Sequence, residues 1–143
     1  MDSHRGRPSA SCLHAEAFND RFCRVRPLPG ARELLSYLTR TGIPLAIATN
    51  GHTETTGRVL RSLEIDLAGI PIMTRHVVGY DKPYPDLFLA AAEALKVDIK
   101  TACVVGDSIW DMLAARRAGA LGVGLRSAGY GRDELERSGA YRV

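Results

Sequence analysis

The sequence predicts an α/β fold built on a doubly wound, mostly parallel sheet. Short apolar runs alternate with amphipathic helical stretches at intervals of roughly 25 to 30 residues, which is typical of strand-helix-strand units with right-handed crossovers. The runs lack the polar alternation of a half-exposed strand, so we expect helices to cover both faces. Polar residues follow the runs that end at Ala48 and at Val105. Sheets of this class bind ligands at the carboxyl ends of their strands.

Composition bounds the possible classes of protein and of partner. The chain has 143 residues, of which 45% are hydrophobic and 24% charged, with a net charge of +3. These values are ordinary for a single soluble domain. The arginines near the start are scattered and lack interleaved aromatic residues, so we expect no nucleic-acid partner. No run approaches 18 apolar residues, so we expect no membrane partner.

The cysteines and histidines give no sign of a metal centre. Three cysteines form no Cys-x-x-Cys pair, and Cys103 lies inside a predicted buried strand. That usage indicates a reducing, cytoplasmic setting. Four histidines lack the spacing of zinc ligands, so we expect no zinc site.

The elements are predicted in order from periodicity and from breaking residues. Residues 1–11 are polar and without a period, which predicts a disordered tail, and a short helix is predicted over Leu13–Val25, before Pro27 and Pro29. There follow a helix from Pro29 to Gly42, a strand over Ile43–Ala48, a polar turn at Thr49-Asn50-Gly51, a helix carrying Val59, Leu60 and Leu63, and an edge strand over Leu67–Thr74. The last elements are a loop over Arg75–Tyr84, a helix opened by Pro85, a strand over Ala102–Val105 with its own helix, a strand over Leu121–Leu125, a helix at Asp133–Arg137 and the start of a strand at Tyr141–Val143.

Two acids follow the strand over Ala102–Val105. Gly106 allows a sharp turn, Asp107 comes at the carboxyl end of the strand, and Asp111 follows about one helical turn later. Two carboxylates at this edge suit Mg²⁺, which prefers oxygen ligands and keeps several waters. Equally, Asp107 alone would serve as a helix cap, with Asp111 a solvated acid of the first turn.

A second group of polar residues is predicted at the same sheet edge. The hydroxyl of Thr49 and the backbone N–H groups of Thr49, Asn50 and Gly51 can cradle phosphate oxygens at the start of a helix. Lys82, in the following loop, can neutralise phosphate charge. With the two acids, these residues form the electrostatic part of a phosphoryl-transfer site. Considered one at a time, Thr49 could instead be the N-cap of the following helix, and Lys82 could be a solvated lysine of a loop.

Three stretches in order resemble motifs of the haloacid dehalogenase superfamily, in particular its phosphatase branch related to phosphoglycolate phosphatase. They are Ile47-Ala-Thr-Asn50, Lys82-Pro83 with Pro85-Asp-Leu-Phe88, and Val105-Gly-Asp-Ser-Ile-Trp-Asp111. The resemblance implies a Rossmann-like core and Mg²⁺-dependent hydrolysis of a small phosphate monoester. The Gly-Asp-x-x-x-Asp form favours a phosphatase over a dehalogenase, which needs no metal.

The resemblance also implies roles for individual residues. Thr49 would bind the phosphoryl group, and Lys82 would stabilise both the nucleophile and the phosphate. Asp107 and Asp111 would bind or orient Mg²⁺. Asp81 precedes the lysine where the family usually has glycine, and its negative charge would partly offset that of Lys82.

The sequence lacks the Asp-x-Asp motif that ends the first strand of the family. In the family the first of these acids attacks phosphorus, the second is the general acid and base, and the strand lies between the strands that end at Thr49 and at Asp107. We therefore expect residues 12–26 to be the remnant of a cap helix, and residues 27–143 to be a partial core that lacks the first strand and most of the cap. Alone, such a chain is marginally stable or is completed by a strand from a partner chain, a dimer or its own amino terminus.

Three hypotheses follow from this departure. The chain is an incomplete Mg²⁺-dependent phosphatase, an inactive module that binds phosphate and metal, or a truncated gene product. The first is tested by release of phosphate from para-nitrophenyl phosphate with and without Mg²⁺, since covalent catalysis without the nucleophile has no first step, and the second predicts saturable binding of phosphate or Mg²⁺ without turnover. The third predicts an Asp-x-Asp-Gly-Thr-type stretch encoded in frame upstream.

Overall fold

The computed structural model describes residues 10–143, in which short helices alternate with short strands. The elements are α1 (Ala10–Arg21), α2 (Ala31–Arg40), β1 (Ile47–Thr49), α3 (Thr53–Arg61), β2 (Ile72–Thr74), α4 (Asp86–Leu95), β3 (Cys103–Gly106), α5 (Ile109–Ala118), β4 (Leu121–Gly124), α6 (Arg132–Ser138) and β5 (Ala140–Arg142). Within residues 10–143, no helix is long and apolar enough to cross a membrane.

The predicted α/β class is confirmed, with differences at the ends of the elements. Helix α1 begins at Ala10, inside the predicted tail, whose residues 1–9 lie outside the described part of the chain. Strand β1 begins at Ile47 and not at Ile43, and its first ladder bond runs from the Ile47 N–H to the Pro71 carbonyl. The next ladder bond towards the start of β1 would run from the N–H of residue 71 to the Leu45 carbonyl, and Pro71 has no N–H to donate, which prevents an earlier start of regular pairing.

The strands form two separate parallel sheets. Strand β1 pairs with β2, and β3, β4 and β5 pair in that order. Among the described strands, none lies between β1 and β3, which leaves one edge of each unpaired. The expectation of two interior strands without a neighbour therefore agrees with the sheet topology.

The core packs α4 and α5 against these sheets. Phe88 of α4, Val104 of β3 and two alanines of α5, Ala114 and Ala115, form a buried cluster, and Ala48 of β1 packs against it. Helix α4 therefore touches elements of both sheets. This shared core brings the carboxyl ends of β1 and β3 to one side of the molecule.

One face of β3 is exposed, contrary to the prediction that helices cover both. Val104 is buried, but Val105 is 51% exposed and Cys103 is also exposed. The prediction rested on the absence of polar alternation, which assumes a complete sheet. Among the described strands, β3 pairs with β4 alone, so Cys103 and Val105 lack the neighbours that residues of a central strand have on both sides.

The end of α1 and the short turn that follows it contact α3 through aromatic residues. The rings of Phe18 and Phe22 lie 5.9 Å apart, and the Arg58 guanidinium of α3 stacks 4.2 Å above the Phe22 ring. Arg58 also donates a hydrogen bond to the Asn19 side chain. These contacts fix the end of α1 beside α3, on the element that follows the Thr49 turn.

Candidate phosphate and metal site

Lys82 joins the ends of the two sheets. Its Nζ donates to Asp111 Oδ1 at 2.6 Å, at the start of α5, and to the Ala48 carbonyl at 3.3 Å, in β1. The two charged side chains are only 13% and 10% exposed, so the pair is shielded from solvent. The sequence placed Lys82 in a loop, and the structure brings its charge to the sheet edge where the acids lie.

Asn50 positions the backbone of Lys82. The Lys82 N–H donates to Asn50 Oδ1 at 3.0 Å, and Asn50 Nδ2 donates to the Lys82 carbonyl at 3.2 Å. This two-way clamp uses the side-chain amide that follows β1 to hold the loop before α4. The sequence assigned Asn50 to the phosphate cradle, and in the structure its side chain is engaged with Lys82.

The turn after β1 is compact and begins with an internal hydrogen bond. The Gly51 N–H donates to Thr49 Oγ1 at 3.0 Å, which leaves the hydroxyl hydrogen of Thr49 available for a ligand. A Cβ on Gly51 would lie 2.7 Å from Thr56 Oγ1, so only glycine fits here without a shift. The reading of Thr49 as a helix cap is wrong, because the N-cap of α3 is His52.

Ser108 and Asp111 form a reciprocal cap at the start of α5. The backbone N–H and the hydroxyl of Ser108 donate to Asp111 Oδ2 at 3.0 and 2.6 Å, and the Asp111 N–H donates to Ser108 Oγ at 3.2 Å. The readings of Asp107 as the cap and of Asp111 as a solvated acid are therefore both wrong. The pattern Ser-x-x-Asp before a helix is the sequence signal that predicts this cap.

Opposing effects act on the carboxyl group of Asp111. Burial by itself raises its pKa, but the charge of Lys82 and the hydrogen bonds from Lys82 and Ser108 outweigh burial. The net result is a pKa below the ordinary value, so Asp111 is a carboxylate at neutral pH. Gly106 is required beside it, since a Cβ there would lie 2.4 Å from the Asp111 Cβ.

Asp107 stands in the turn between β3 and α5 and has a separate partner. Its Oδ2 accepts a hydrogen bond from Ser127 Oγ at 2.9 Å. Over residues 10–143, no group of three or more histidine, cysteine, aspartate and glutamate side chains is arranged to hold a metal ion. Two carboxylates with waters and a phosphate oxygen are nevertheless a usual set for Mg²⁺, so Asp107 and Asp111 fit that ion in kind and number.

Comparison with known proteins identifies the family. Residues 9–119 match haloacid dehalogenase-like hydrolases. The chain belongs to this family. A phosphoglycolate phosphatase of Neisseria meningitidis serogroup A is 36% identical over 107 residues, which cover 75% of this chain and 45% of that protein. The chain spans about half the length of the curated relatives it matches.

Solved structures of the family share the fold. A hydrolase from Pseudomonas syringae superposes with a TM-score of 0.89 and 49% identity, over 93% of this chain and 62% of that one. A family member from Deinococcus radiodurans R1, solved with bound phosphate and sodium, superposes with a TM-score of 0.82 and 33% identity, over 98% of this chain and 65% of that one. The predicted resemblance to the superfamily and to its phosphoglycolate phosphatase branch is thus confirmed.

Two contacts, one beside Lys82 and one beside the Thr49 turn, were not foreseen from the sequence. Asp81, expected to offset the lysine charge, is ion-paired with Arg75 at 2.9 Å. Its charge is therefore balanced locally and not by Lys82. In addition, the rings of His52 and His76 approach with Nδ1 and Nε2 at 3.1 Å. Both histidines are exposed, and His52 directly follows the Thr49 turn.

Proposed function

We propose that the chain carries the phosphate and metal contacts of a Mg²⁺-dependent phosphatase that acts on a small phosphate monoester. The observation that supports this most strongly is the bridge from Lys82 to Ala48 and Asp111, because it draws a cation to the edge where the Thr49 turn and the acids meet. The overall reaction converts a phosphate monoester and water into an alcohol and inorganic phosphate.

The phosphate contacts follow from the donors that remain available. The Thr49 hydroxyl donates to a phosphoryl oxygen, since its oxygen is already held by the Gly51 N–H. Lys82 has three N–H donors, two of which are engaged, so the third is available to an anion. Asn50 acts by holding Lys82 in place, and the backbone of Asn50 and Gly51 shapes the cradle.

The metal contacts are assigned to Asp107 and Asp111. When bound, Mg²⁺ supplies charge neutralisation to the phosphoryl oxygens. Ser127 orients Asp107, and Ser108 together with Lys82 orients Asp111. These contacts hold both carboxylates in defined positions before a ligand arrives, which reduces the free energy needed to order the site.

The nucleophile is the element that this chain does not provide in a recognisable motif. Family resemblance implies attack by the first acid of Asp-x-Asp, and the sequence contains no such pair. We therefore expect the chain alone to bind phosphate and Mg²⁺ without catalytic turnover. This is also the outcome for an inactive binding module, so binding and turnover must be measured separately.

The test compares the 143-residue chain with two aspartate variants. Calorimetry measures inorganic phosphate binding with and without Mg²⁺ for the wild type, for Asp107→Asn, and for Asp133→Asn as a control on the exposed side of α6. We expect Mg²⁺ to tighten phosphate binding in the wild type and the control, and this effect to be lost in Asp107→Asn. Absence of phosphate binding by the folded wild type would overturn the assignment.

A turnover assay then separates the two remaining hypotheses. Release of phosphate from para-nitrophenyl phosphate is followed at several Mg²⁺ concentrations. We expect binding without release. Sustained Mg²⁺-dependent release that Asp107→Asn abolishes would show that a group within this chain serves as the nucleophile.

Two further predictions belong to the same proposal. We place the protein in the cytoplasm, which the free, exposed thiols of Cys23 and Cys103 support, since oxidising compartments pair such cysteines. We also assign residues 12–26 to the remnant of a cap, in line with the contacts between α1 and Arg58. Detection of the chain in a cell fraction that lacks cytoplasmic marker proteins would contradict the first of these.

A further inference from the structure

His52 and His76 meet beyond the carboxyl ends of two neighbouring strands. Thr49 ends β1 and Thr74 ends β2, and these two threonines are partners in the parallel ladder. His52 is the N-cap of α3, shortly after β1, and His76 lies in the short 3₁₀ turn Arg75–Val77 that follows β2. Both rings are therefore at the sheet edge that also carries the Thr49 turn.

The backbone segments that carry the two rings are held together by contacts of their own. The hydroxyl groups of Thr53 and Thr74 are hydrogen-bonded at 3.1 Å, which joins the start of α3 to the end of β2. The His52 carbonyl accepts the Thr56 N–H at 2.9 Å, a bond of the first turn of α3. The fold therefore brings the two imidazoles together, and their approach does not require attraction between the rings.

The two rings approach through their nitrogen atoms. His52 Nδ1 and His76 Nε2 are 3.1 Å apart, and the rings are tilted by 47°, so they are not stacked face to face. Two nitrogens that bind one Zn²⁺ at about 2.0 to 2.1 Å lie about 2.8 to 3.4 Å apart when the angle between the two bonds is about 90 to 110°. The observed separation lies inside this range. It also suits an N–H···N hydrogen bond between neutral rings, which is the alternative that an experiment must exclude.

The composition of the pair selects the class of ion. Neutral imidazole is a ligand for Zn²⁺, Ni²⁺ and Cu²⁺, whereas Mg²⁺ prefers oxygen ligands. The positive charge of Arg75, next to His76 in sequence, is balanced by its ion pair with Asp81 at 2.9 Å. In the described part of the chain, residues 10–143, no third histidine, cysteine, aspartate or glutamate completes a metal-binding group. Because both histidines are exposed, water can fill the remaining positions of an ion bound here.

We propose that His52 and His76 form a binding site for one late transition-metal ion of the Zn²⁺ class, separate from the carboxylates Asp107 and Asp111. Local spacing predicted no zinc site, because these histidines are 24 residues apart in sequence and meet only in the fold. A bound ion joins the loop that leads to Lys82 to the start of α3, so its binding stabilises the folded position of that loop. This inference does not rest on the proposed phosphatase function.

Calorimetry with Zn²⁺ on the full 143-residue chain, in the presence of excess Mg²⁺, tests the site. The wild type is compared with His52→Gln, with His76→Gln and with the control His14→Gln, which removes a histidine of α1. We expect one Zn²⁺ per chain and equal affinity in the wild type and the control. Binding should be at least about tenfold weaker in each of the other two variants. Circular dichroism establishes that each variant is folded.

The nitrogen signals of the imidazole rings in NMR spectra give a direct readout on the wild type. We expect Zn²⁺ to shift the signals of His52 Nδ1 and His76 Nε2 and to leave those of His14 unchanged. Zn²⁺ should also raise the urea midpoint of the wild type and of His14→Gln, but not that of His52→Gln, since the ion binds only the folded arrangement.

Two results would overturn the proposal. Zn²⁺ affinity that is equal in the wild type and in all three variants would show that thiolates or carboxylates are the ligands. Absence of Zn²⁺ binding by the folded wild type would show that the two rings form only an N–H···N hydrogen bond.

Discussion

Replacing Lys82 by methionine leaves the carboxylate of Asp111 buried without its cation. The wild-type pair is 2.6 Å long, and its side chains are 13% and 10% exposed. Removing one partner of a buried pair destabilises a protein by about 3 to 5 kcal/mol, because the other charge remains desolvated. Asp111 retains two bonds from Ser108, so we expect the lower end, about 3 kcal/mol.

The comparison with a surface pair gives the prediction its control. Arg132 and Glu136 are 3.3 Å apart but 62% and 46% exposed. Pairs in that environment contribute about 0 to 1 kcal/mol, so Arg132→Met is expected to be nearly neutral. The double variant Lys82→Met with Asp111→Leu removes both charges, and we expect it to recover most of the stability lost in Lys82→Met.

Urea unfolding monitored by the single tryptophan, Trp110, measures these differences. With a urea dependence of about 1 to 3 kcal/mol per molar, a loss of about 3 kcal/mol lowers the midpoint by about 1 to 3 M. If Lys82→Met is already unfolded without urea, the substitution has lowered the free energy of unfolding by at least its full wild-type value. A loss equal to that in Arg132→Met, or a double variant no more stable than Lys82→Met, would refute the reasoning.

Three further predictions concern the same site. The pKa of Asp111 in the folded protein lies below its unfolded value of about 3.9, so the stability that this carboxylate contributes is complete above about pH 5 and is lost as pH falls further. The urea midpoints of the wild type and of Asp111→Asn should therefore converge on acidification. A difference that stays constant with pH would contradict this. Gly106→Ala should destabilise the fold by about 1 to 3 kcal/mol, measured by the same urea assay. Gly57→Ala, inside helix α3, should instead stabilise it, because a Cβ there would lie 3.5 Å from its nearest neighbouring atom. Thr49→Val should weaken the binding of inorganic phosphate about tenfold, measured by calorimetry. Thr39→Val, which removes an exposed hydroxyl of α2, is the control. An equal loss of binding in this control would show that the hydroxyl of Thr49 is not the cause.

The helices around the site were predictable because their signals are local. Pro85 precedes α4, and Gly119, with φ of +82°, ends α5 in a left-handed conformation that favours glycine. The Ser108-x-x-Asp111 pattern also contains the information for the cap at the start of α5. Such signals act within one or two turns of helix, so they do not depend on how the sheets are assembled.

The arrangement of the strands and the reach of Lys82 were not predictable in the same way. Exposure of Val105 depends on which strands pair, and pairing is a contact between distant segments. Likewise, Lys82 lies 29 residues from Asp111 in sequence and 34 from Ala48, and the clamp by Asn50, itself 32 residues away, helps to direct it to them. Apolar composition alone therefore predicted a covered strand where one face is open.

The bridge made by Lys82 has a thermodynamic consequence for ligand binding. Ala48 belongs to β1, and Asp111 belongs to α5, the helix that follows β3 of the other sheet. A phosphate that requires Thr49, Lys82 and the acids together therefore binds only when these two parts of the molecule are docked. Mass action then requires that such a ligand stabilise the docked state by RT ln(1 + [L]/Kd), about 2.7 kcal/mol at a hundredfold excess over Kd. The β1 side supplies the Thr49 turn and the side that contains β3 and α5 supplies the acids, so occupancy of the site reports how firmly these two sides are held together.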